Sequence, residues 1–479
     1  MNIGIVFYFL GWVLGIEGIL MILPCVVALI YQEPSGFYFL GVALFCGISG
    51  WLLAHKKLKS TVLYAKEGFV AVSLSWIVLS FFGALPFFLS GEIPLLEDAL
   101  FEVISGFTTT GASVLSDVEA LSRCMLMWRS FTHWIGGMGV LVFILAVLPL
   151  AGGYNIHIMR AESPGPSVGK LVPRVRTTAK ILYLIYLFIT VVQIILLLFT
   201  GMPLFDSMAM SFGTAGTGGF GIVNSSCGDY TALQQWIFTI FMILFGVNFN
   251  VYYLFLIRKP KDALRCEEMR GYLGIILVST LLITWNIRGM FPNILTALRH
   301  AAFQVGSIIT TTGYSTTDFD LWPGFSKTIL VSLMFIGACA GSTGGGIKVS
   351  RIAIAVKTVN KELSSLIHPR NVKVLKYEGK PIEHNVLRSI NTYLVAYILI
   401  FVVSLLLISL DNFDLTTNFT AIAATLNNIG PGLEKVGPTC NFGIFSPFNK
   451  YILMFDMLAG RLELFPMLLL FSPRTWMRE

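Results

Sequence analysis

Four short loops of small and hydroxyl-bearing residues are the part of this sequence whose chemistry is easiest to identify. They are Thr108-Thr109-Thr110-Gly111, Ala215-Gly216-Thr217-Gly218, Thr310-Thr311-Thr312-Gly313 and Asn427-Asn428-Ile429-Gly430. Residues of these types do not fill a hydrophobic core, but glycine permits the dihedral angles that turn successive backbone carbonyls in one direction. Carbonyl oxygens replace the hydration shell of a cation without adding net charge, so the ion binds and can still leave. We therefore interpret the four loops as parts of one ion filter.

A short, half-apolar segment precedes each loop, over about 94–108, 203–214, 292–310 and 414–427. Each is too short to cross a bilayer, because a spanning helix needs about 20 apolar residues. We expect four half-helices that enter the membrane and stop, with the negative ends of their dipoles directed at the ion. Irregular backbone at membrane depth is tolerated where it is buried in protein or lines water, which agrees with a pore.

Composition places the rest of the chain in a bilayer. Of its 479 residues, 55% are hydrophobic and 12% are charged, whereas a soluble domain carries about 25% charged residues. We predict an all-α polytopic membrane protein in which the eighth long segment is broken by glycines. The segments long enough to cross are approximately 4–31, 37–54, 68–91, 124–150, 178–200, 233–257, 271–290, 326–357, 388–410 and 447–473.

The order of helix, half-helix, glycine loop and helix occurs four times after residue 67, which indicates an internal repeat. Two extra N-terminal helices (1–67) stand outside it. The repeats are predicted over 68–150, 151–257, 258–357 and 358–479, and the last includes a polar cytoplasmic linker over about 358–387.

The distribution of Lys and Arg predicts the orientation. Most of the 33 basic residues lie near residues 56–66, 160–180, 258–270 and 348–388 and at the C-terminus, all on one side of ten crossings. Basic loops face the cytoplasm, so we expect both termini there and the half-helices to enter from the opposite side. The net charge of +7 is then a signal of topology, not of nucleic acid binding.

The eighth segment contains the run from Gly337 to Gly346, with five glycines in ten residues. Glycine costs about 1 kcal/mol in a helix relative to alanine, so this run should break the helix inside the membrane. A phosphate-binding loop requires Gly-Lys-Ser/Thr, and Ile347 follows Gly346 instead. Arg461 is a second unusual feature, because a charge inside an apolar run faces the protein interior or water. Its alternative interpretation is an ion pair with Glu463 or Asp456.

These motifs resemble the Trk/Ktr/HKT superfamily of potassium transporters and, within it, the bacterial TrkH/TrkG type. The two leading helices favour TrkH over the shorter KtrB type. The resemblance implies four helix–pore-helix–helix repeats around a pseudo-fourfold axis, with one pore per subunit. It covers residues 68–473 and rests on TTTGAS, GTGGFG, TTTGYSTTDFD, GACAGSTGGGIK, NNIGPGLEKVG and MLAGRLELFP.

The resemblance also implies the ion. A glycine at all four filter positions goes with potassium in this superfamily, and Gly111, Gly218, Gly313 and Gly430 are assigned to them here. No transition-metal site is expected, since the seven cysteines form no metal-ligand pattern. The potassium-binding residues implied are Thr109, Thr110, Gly111, Gly216, Thr217, Gly218, Thr311, Thr312, Gly313, Asn428, Ile429 and Gly430.

The glycine run resembles the gating loop of the family, and the resemblance places Arg461 in the cytoplasmic half of the pore, where it opposes cations. Our hypothesis is that both block conduction until a cytosolic partner moves the eighth segment. The residues assigned to this gate are Gly337, Gly341, Ser342, Thr343, Gly344, Gly345, Gly346 and Arg461.

The function implied is potassium uptake across a bacterial inner membrane, by a homodimer under a cytosolic TrkA-type RCK subunit that binds ATP/ADP or NAD. This chain itself is expected to bind no cofactor. A sodium- or proton-coupled symporter of KtrB-like type is the alternative. An intramembrane enzyme lacks support, because no paired catalytic groups are visible, and His133 is predicted to be a packed side chain. An alternating-access transporter would predict inverted repeats.

Overall fold

The structure is a computed structural model that describes residues 2–55, 65–139, 175–368 and 374–477. Apart from one short hairpin, the regular structure in these ranges is helical, which confirms the predicted fold class. The predicted crossing over 124–150, the repeat boundary at 150–151 and the basic loops at 56–66 and 160–180 lie wholly or partly outside these ranges.

Three helices precede the repeats, and they are α1 (Ile3–Leu20), α2 (Ile22–Tyr31) and α3 (Gly36–Ala54). Small residues allow α1 and α3 to pack backbone to backbone. A Cβ atom added to Gly11 would lie 2.8 Å from the carbonyl oxygen of Gly50, and one added to Gly18 would lie 2.7 Å from that of Ala43. Such small-residue interfaces are typical of helices that associate in membranes.

Each repeat begins with a long outer helix. These helices are α4 (Ala65–Ser90), α7 (Val175–Phe199), α12 (Glu267–Ile287) and α16 (His384–Ile408). With Ile3–Tyr31 and α3, they make six helices that are long and apolar enough to cross a membrane among the described residues.

A half-helix follows each outer helix, as predicted. The half-helices are α5 (Leu96–Phe107), α8 (Leu204–Gly216), α13 (Ile294–Ile309) and α17 (Leu415–Leu426). Side chains cap two of their N-termini: Asn293 accepts a hydrogen bond from Thr296 N, and Asp414 accepts one from Thr417 N, both at 2.8 Å. Their C-terminal residues are buried, which agrees with half-helices that stop inside the protein.

The inner helices are short, and those of the sixth and tenth segments end earlier than predicted. They are α6 (Arg123–Gly137), α9 (Ala232–Phe245), α14 (Gly324–Ile336) and α18 (Pro447–Arg461), each of 13 to 15 residues. At the ends of α6, α9 and α18, a glycine meets a half-helix or filter loop. A Cβ atom on Gly136 would lie 1.8 Å from Phe107 O, and one on Gly460 would lie 2.1 Å from Leu426 O.

The sequence predicted a break in the eighth segment alone, and this was wrong for the sixth and tenth. In the sixth, α9 and α10 (Phe249–Leu256) meet at an angle of 89°. Asn248 caps α10 by accepting a hydrogen bond from Asn250 N at 2.9 Å. In the tenth, Glu463 and Leu464 have φ angles of 61° and 64°, which separate α18 from α19 (Phe465–Phe471).

The polar stretch at 358–387 is more regular than a linker. Helix α15 (Val349–Ile367) follows the break in the eighth segment, and strands β1 (Lys376–Tyr377) and β2 (Lys380–Pro381) form an antiparallel hairpin. Short helices α11 (Pro260–Leu264) and α20 (Pro473–Trp476) complete the described elements. We call the end of the molecule that carries α11 and the hairpin the basic end, and the opposite end the outer end.

Candidate cation filter and gate

The four loops have the same backbone conformation. Each begins with a left-handed non-glycine residue, and the φ angles are 55° at Thr109, 55° at Thr217, 60° at Thr311 and 57° at Asn428. Each has a left-handed glycine two residues later, with φ angles of 79° at Gly111, 78° at Gly219, 87° at Gly313 and 98° at Gly430. Non-glycine residues seldom adopt a positive φ, so four such residues at matched positions define the register of the repeat.

This register corrects one sequence assignment. The glycine equivalent to Gly111, Gly313 and Gly430 is Gly219, not Gly218. The N–H of Gly218 bonds to Gly213 O at 2.9 Å, as the N–H of Thr110 bonds to Ser105 O at 2.8 Å. Helix α8 continues one residue further into its loop than the assignment of Gly218 from the sequence assumed. Thr217 is therefore the equivalent of Thr109 and Thr311, and it carries the same hydroxyl group.

Adjacent loops touch so closely that only glycine fits between them. A Cβ atom added to Gly111 would lie 2.0 Å from Gly218 O, and one added to Gly219 would lie 1.9 Å from Thr312 O. One on Gly313 would lie 2.0 Å from Ile429 O, and one on Gly430 would lie 2.9 Å from Thr110 O. Each loop thus contacts the next, and the fourth contacts the first. The four loops form a closed ring, which we call the filter ring.

The threonine hydroxyls beside the ring bond to the protein. Thr108 donates to Ile104 O at 2.6 Å and lies 2.8 Å from the hydroxyl of Thr110. The third repeat has the same pattern, with 2.7 Å between the hydroxyls of Thr310 and Thr312. The amide of Asn428 donates to the Thr110 hydroxyl at 2.9 Å and joins loops four and one. These side chains fix the loops from behind, which leaves the backbone carbonyls as the groups suited to bind an ion.

A buried ion pair that the sequence did not reveal supports loops one and two. Glu102 in α5 accepts hydrogen bonds from Arg129 Nε at 2.5 Å, from the Ser113 hydroxyl at 3.0 Å and from Val114 N at 3.1 Å. Arg129 also donates to Gly221 O at 2.7 Å. A buried ion pair is favourable only when its remaining donors and acceptors are bonded, as they are here. The sequence offered one signal for this ion pair: an acidic residue in a half-helix is followed by a basic residue in the next helix.

His133 in α6 lies between the same two loops. Its Nδ1 is 2.7 Å from Gly106 O, and its Nε2 accepts a hydrogen bond from Phe220 N at 3.2 Å. The Nε2 acceptor role places the proton on Nδ1, which donates to Gly106 O. The prediction of a packed histidine is confirmed, and the side chain braces the filter ring.

A cavity of about 180 Å³ opens at the outer end of the ring. Its lining includes Gly111, Gly313 and Gly430 together with polar residues such as Asn224 and Asn441. Asp117 stands near this mouth, and hydrogen bonds from the Asn224 side chain and the Glu119 N–H lower the pKa of its carboxyl. An ionised carboxylate beside a mouth raises the local cation concentration.

Residues 337–348, which we call the glycine segment, lie against the inner side of the ring. The N–H of Gly345 donates to the Thr311 hydroxyl at 2.6 Å. A Cβ atom added to Gly344 would lie 2.8 Å from Thr310 O, and one added to Gly345 would lie 2.4 Å from Asn427 O. The segment therefore lies under loops three and four, between the ring and the basic end.

Neighbouring elements hold the glycine segment from its other side. The bend between α9 and α10 contributes two backbone hydrogen bonds, Cys339 N to Gly246 O at 3.1 Å and Phe249 N to Gly341 O at 3.0 Å. The hydroxyls of Ser342 and Thr343 donate to Cys339 O and Phe245 O, so they satisfy broken backbone. Buried Lys348 donates to Gly344 O.

Glu268, at the start of α12, is a further support that the sequence did not reveal. Its carboxylate accepts hydrogen bonds from Ala340 N at 2.7 Å and from Ser350 N at 3.2 Å. Its own N–H donates to the Glu378 carboxylate of the hairpin at 3.0 Å. A chain of contacts therefore runs from the basic end to the glycine segment.

Arg461 joins three repeats below the ring. Its guanidinium donates to Thr343 O at 2.8 Å and to Gly136 O and Gly137 O at 2.5 and 2.9 Å. Both carboxylates named in its alternative interpretation have other partners: Glu463 pairs with Arg351, and Asp456 accepts a hydrogen bond from Ser404 at 2.8 Å. A cationic group thus lies against the glycine segment.

Comparison with known proteins identifies the family. The family model described as TrkH, cation transport protein, matches residues 36–287 and 289–477. This chain belongs to the TrkH family. It is 40% identical to the Trk system potassium uptake protein TrkH of Salmonella typhimurium, and 39% identical to that of Escherichia coli K12, each over 95% of both chains. The crystal structure of the potassium transporter TrkH from Vibrio parahaemolyticus matches all of both chains with a TM-score of 0.89 and 33% identity.

Membership of the TrkH family confirms the resemblance inferred from the motifs, and it identifies the chain as a multi-pass membrane transporter. The match to the Vibrio parahaemolyticus structure extends over the two N-terminal helices as well as the repeats. Among the described residues, no group of three or more His, Cys, Asp or Glu side chains is arranged to hold a metal ion.

Proposed function

We propose that this chain takes up potassium through a channel-like pore whose selectivity filter is the filter ring. The observation that carries the proposal is the closed cycle of contacts in which each filter glycine meets a carbonyl of the next loop. Carbonyl rings of this kind replace the hydration shell of potassium. The relatives named potassium uptake proteins support the choice of ion.

We propose that the glycine segment and Arg461 form the gate. The segment lies directly under loops three and four, and the guanidinium adds a positive charge on the same route. Two like charges about 4 Å apart repel by about 1 kcal/mol in water and by more at lower dielectric. Opening then requires the segment to leave Thr311 and Arg461 to leave Gly136, Gly137 and Thr343.

We propose that control reaches the gate from the basic end, which faces the cytoplasm of a bacterial inner membrane, as do both termini. The partner is a TrkA-type RCK subunit that carries the nucleotide, ATP/ADP or NAD, and the membrane subunit works as a homodimer. Support comes from the path through Glu378, Glu268 and the N–H groups of Ala340 and Ser350. Movement of the hairpin or of α15 acts on the glycine segment through this path.

The test is flux into liposomes that contain the purified chain with potassium, rubidium or sodium as the only cation. We expect potassium and rubidium to enter at similar rates and sodium at least about tenfold more slowly. Protein-free liposomes are the control. Equal rates for sodium and potassium would contradict the proposed filter. Uptake that stops without a sodium or proton gradient would instead support the coupled symport.

A further inference from the structure

Thr311 takes part in two structures at once. Its backbone lies in the filter ring with a φ of 60°, and its hydroxyl accepts the N–H of Gly345 at 2.6 Å. The Thr311 hydroxyl and the Gly345 N–H are both buried, and Thr311 has no exposed surface. When one partner of a buried hydrogen bond leaves, the other is left unsatisfied and the full desolvation penalty is incurred, because water does not replace the bond.

None of the equivalent side chains of the other three loops is seen to bond to the glycine segment. The Thr109 hydroxyl is buried without a hydrogen-bond partner among the described atoms. The Thr217 hydroxyl donates to Gly216 O in its own loop at 2.6 Å. The amide of Asn428 donates to Thr110 and to Met457 O. The bond from loop three to the glycine segment is therefore a departure from fourfold symmetry at otherwise matched positions.

Packing makes this contact stiff. The backbone of the segment touches Thr310 O and Asn427 O so closely that a Cβ atom on Gly344 or Gly345 would lie within 2.8 Å of them. Close-packed protein interiors transmit small shifts. A change in the position of loop three therefore displaces the segment, and withdrawal of the segment removes a donor from loop three.

We propose that Thr311 is the positioning residue that links ion occupancy of the filter ring to the glycine segment. Potassium in the ring holds loop three in the conformation that bonds Gly345, so the ion stabilises the segment in its obstructing position. By reciprocity, release of the segment weakens the binding of the ion at the inner end of the ring. The inference rests on the filter and gate proposed above and adds the residue that couples them.

The test measures amide hydrogen exchange over residues 337–346 in the purified full chain, in potassium chloride and in N-methylglucamine chloride. We expect potassium to slow exchange about fivefold in the parent, as one net hydrogen bond would. Thr311→Val removes the acceptor and should abolish this potassium effect. Thr311→Ser restores the hydroxyl and should restore it. Thr425→Val is the control, because it removes a buried hydroxyl that bonds to Ala421 O within α17 and lies outside the residues assigned to the filter, and it should keep the effect.

Thermal melting in the same two salts separates this inference from the proposed function. If potassium raises the melting temperature but leaves exchange over 337–346 unchanged in the parent, the linkage is wrong and the filter stands. If potassium stabilises none of the proteins, the proposed filter is wrong. If Thr425→Val abolishes the effect as fully as Thr311→Val, loss of any buried hydroxyl near the ring is sufficient and the role of Thr311 is refuted. Thr311→Ala serves under the same criteria where Thr311→Val does not fold.

Discussion

The filter ring and the region beneath it follow opposite rules. In the ring, four loops of different sequence adopt one backbone conformation, although their filter residues vary from threonine to asparagine and isoleucine. Beneath it, each inner helix that can be followed continues differently. Helix α9 turns by 89° into α10, α14 enters the glycine segment, and α18 breaks at two left-handed residues.

The difference follows from what each region has to do. In the proposed filter, four loops that share one ion present their carbonyls at equal distances, so geometry is repeated even where side chains differ. A gate needs one element that moves and others that hold it. Asymmetry beneath the ring supplies both: the third repeat contributes the segment, repeats two and four contribute its contacts, and repeat one binds Arg461 of repeat four.

The largest effect should come from an attempt to break the ring. Overpacking a close-packed site costs about 1–3 kcal/mol, so Gly219→Ala should reduce the preference for potassium over sodium about tenfold in liposome flux. Gly111→Ala and Gly313→Ala should match it, because their added Cβ atoms would lie equally close to a carbonyl. Gly430→Ala should have a smaller effect, since its nearest contact is 2.9 Å.

Gly324→Ala is the control for this series, because nothing lies within 4 Å of the added Cβ atom. A preference that survives Gly219→Ala would mean that the register of loop two is misassigned. Equal losses at all four ring positions would mean that the wider fourth contact has no functional consequence.

The next effect concerns the ion pair between Arg351 of α15 and Glu463 after α18, whose side chains are 7% and 17% exposed. Removing one partner of a fully buried pair costs about 3–5 kcal/mol, so we expect about 2 kcal/mol for this less buried pair. Glu463→Gln should lower the melting temperature and raise flux without changing selectivity. A double-mutant cycle with Arg351→Gln measures the coupling, and additive effects would show that the pair does not hold α15.

Arg461→Gln should change the energy of an ion in the pore by less than the preceding substitutions change the free energies they affect. Its effect on the rate of flux should still be clear. Removal of one opposing charge is equivalent to about 1 kcal/mol in a wet pore, so flux should rise about fivefold while the ratio of potassium to sodium stays constant. Flux is measured in potassium-only and sodium-only liposomes. A change in the ratio would refute the separation between a ring that selects and a region that gates.

The smallest effect lies at the outer end. Hydrogen bonds from the Thr417 hydroxyl and N–H lower the pKa of Asp414, which caps α17. A lowered pKa means that the ionised cap stabilises the folded protein above the unfolded pKa and that this contribution is lost as the pH falls through the folded pKa. As the pH falls from about 5 to about 2, the protection factors at the start of α17 (the intrinsic exchange rate at that pH divided by the observed rate) should therefore fall.

Helix α13 provides the matched control, because Asn293 caps it with the same geometry and does not titrate in this range. Substitution of a capping residue by alanine costs about 1 kcal/mol, so Asp414→Ala should remove the pH dependence and raise exchange at all pH values. An equal fall in protection factors in both helices would refute the assignment to Asp414.

The sequence predicted the elements whose signal is local. Apolar length identified the outer helices, and glycines after short apolar segments identified the half-helices and their loops. It also located the glycine break at 337–346, because five glycines are incompatible with a helix. It failed where a contact between distant residues decides the structure. Hydropathy reports the length of an apolar run, and it does not show that Gly136 or Gly460 touches a half-helix carbonyl.

Two of the missed features have the same cause. Gly218 and Gly219 are adjacent glycines, so the letters of the motif fit either register, and the hydrogen bond from Gly218 N to Gly213 O decides between them. Glu102 and Arg129 are separated by 27 residues and look like ordinary charged positions until α5 and α6 place them together.

The contact between the fourth and first loops has a consequence for how the protein is made. Asn428 bonds to Thr110 across 318 residues of sequence, and Gly430 closes the ring against the same residue. During synthesis the first three loops are therefore present long before the residue that completes them. A nascent chain that stops before the fourth repeat contains three quarters of a ring and lacks the side from which the last carbonyls come. Under the proposed function, the ability to choose an ion is acquired in one step, when the final repeat enters the membrane.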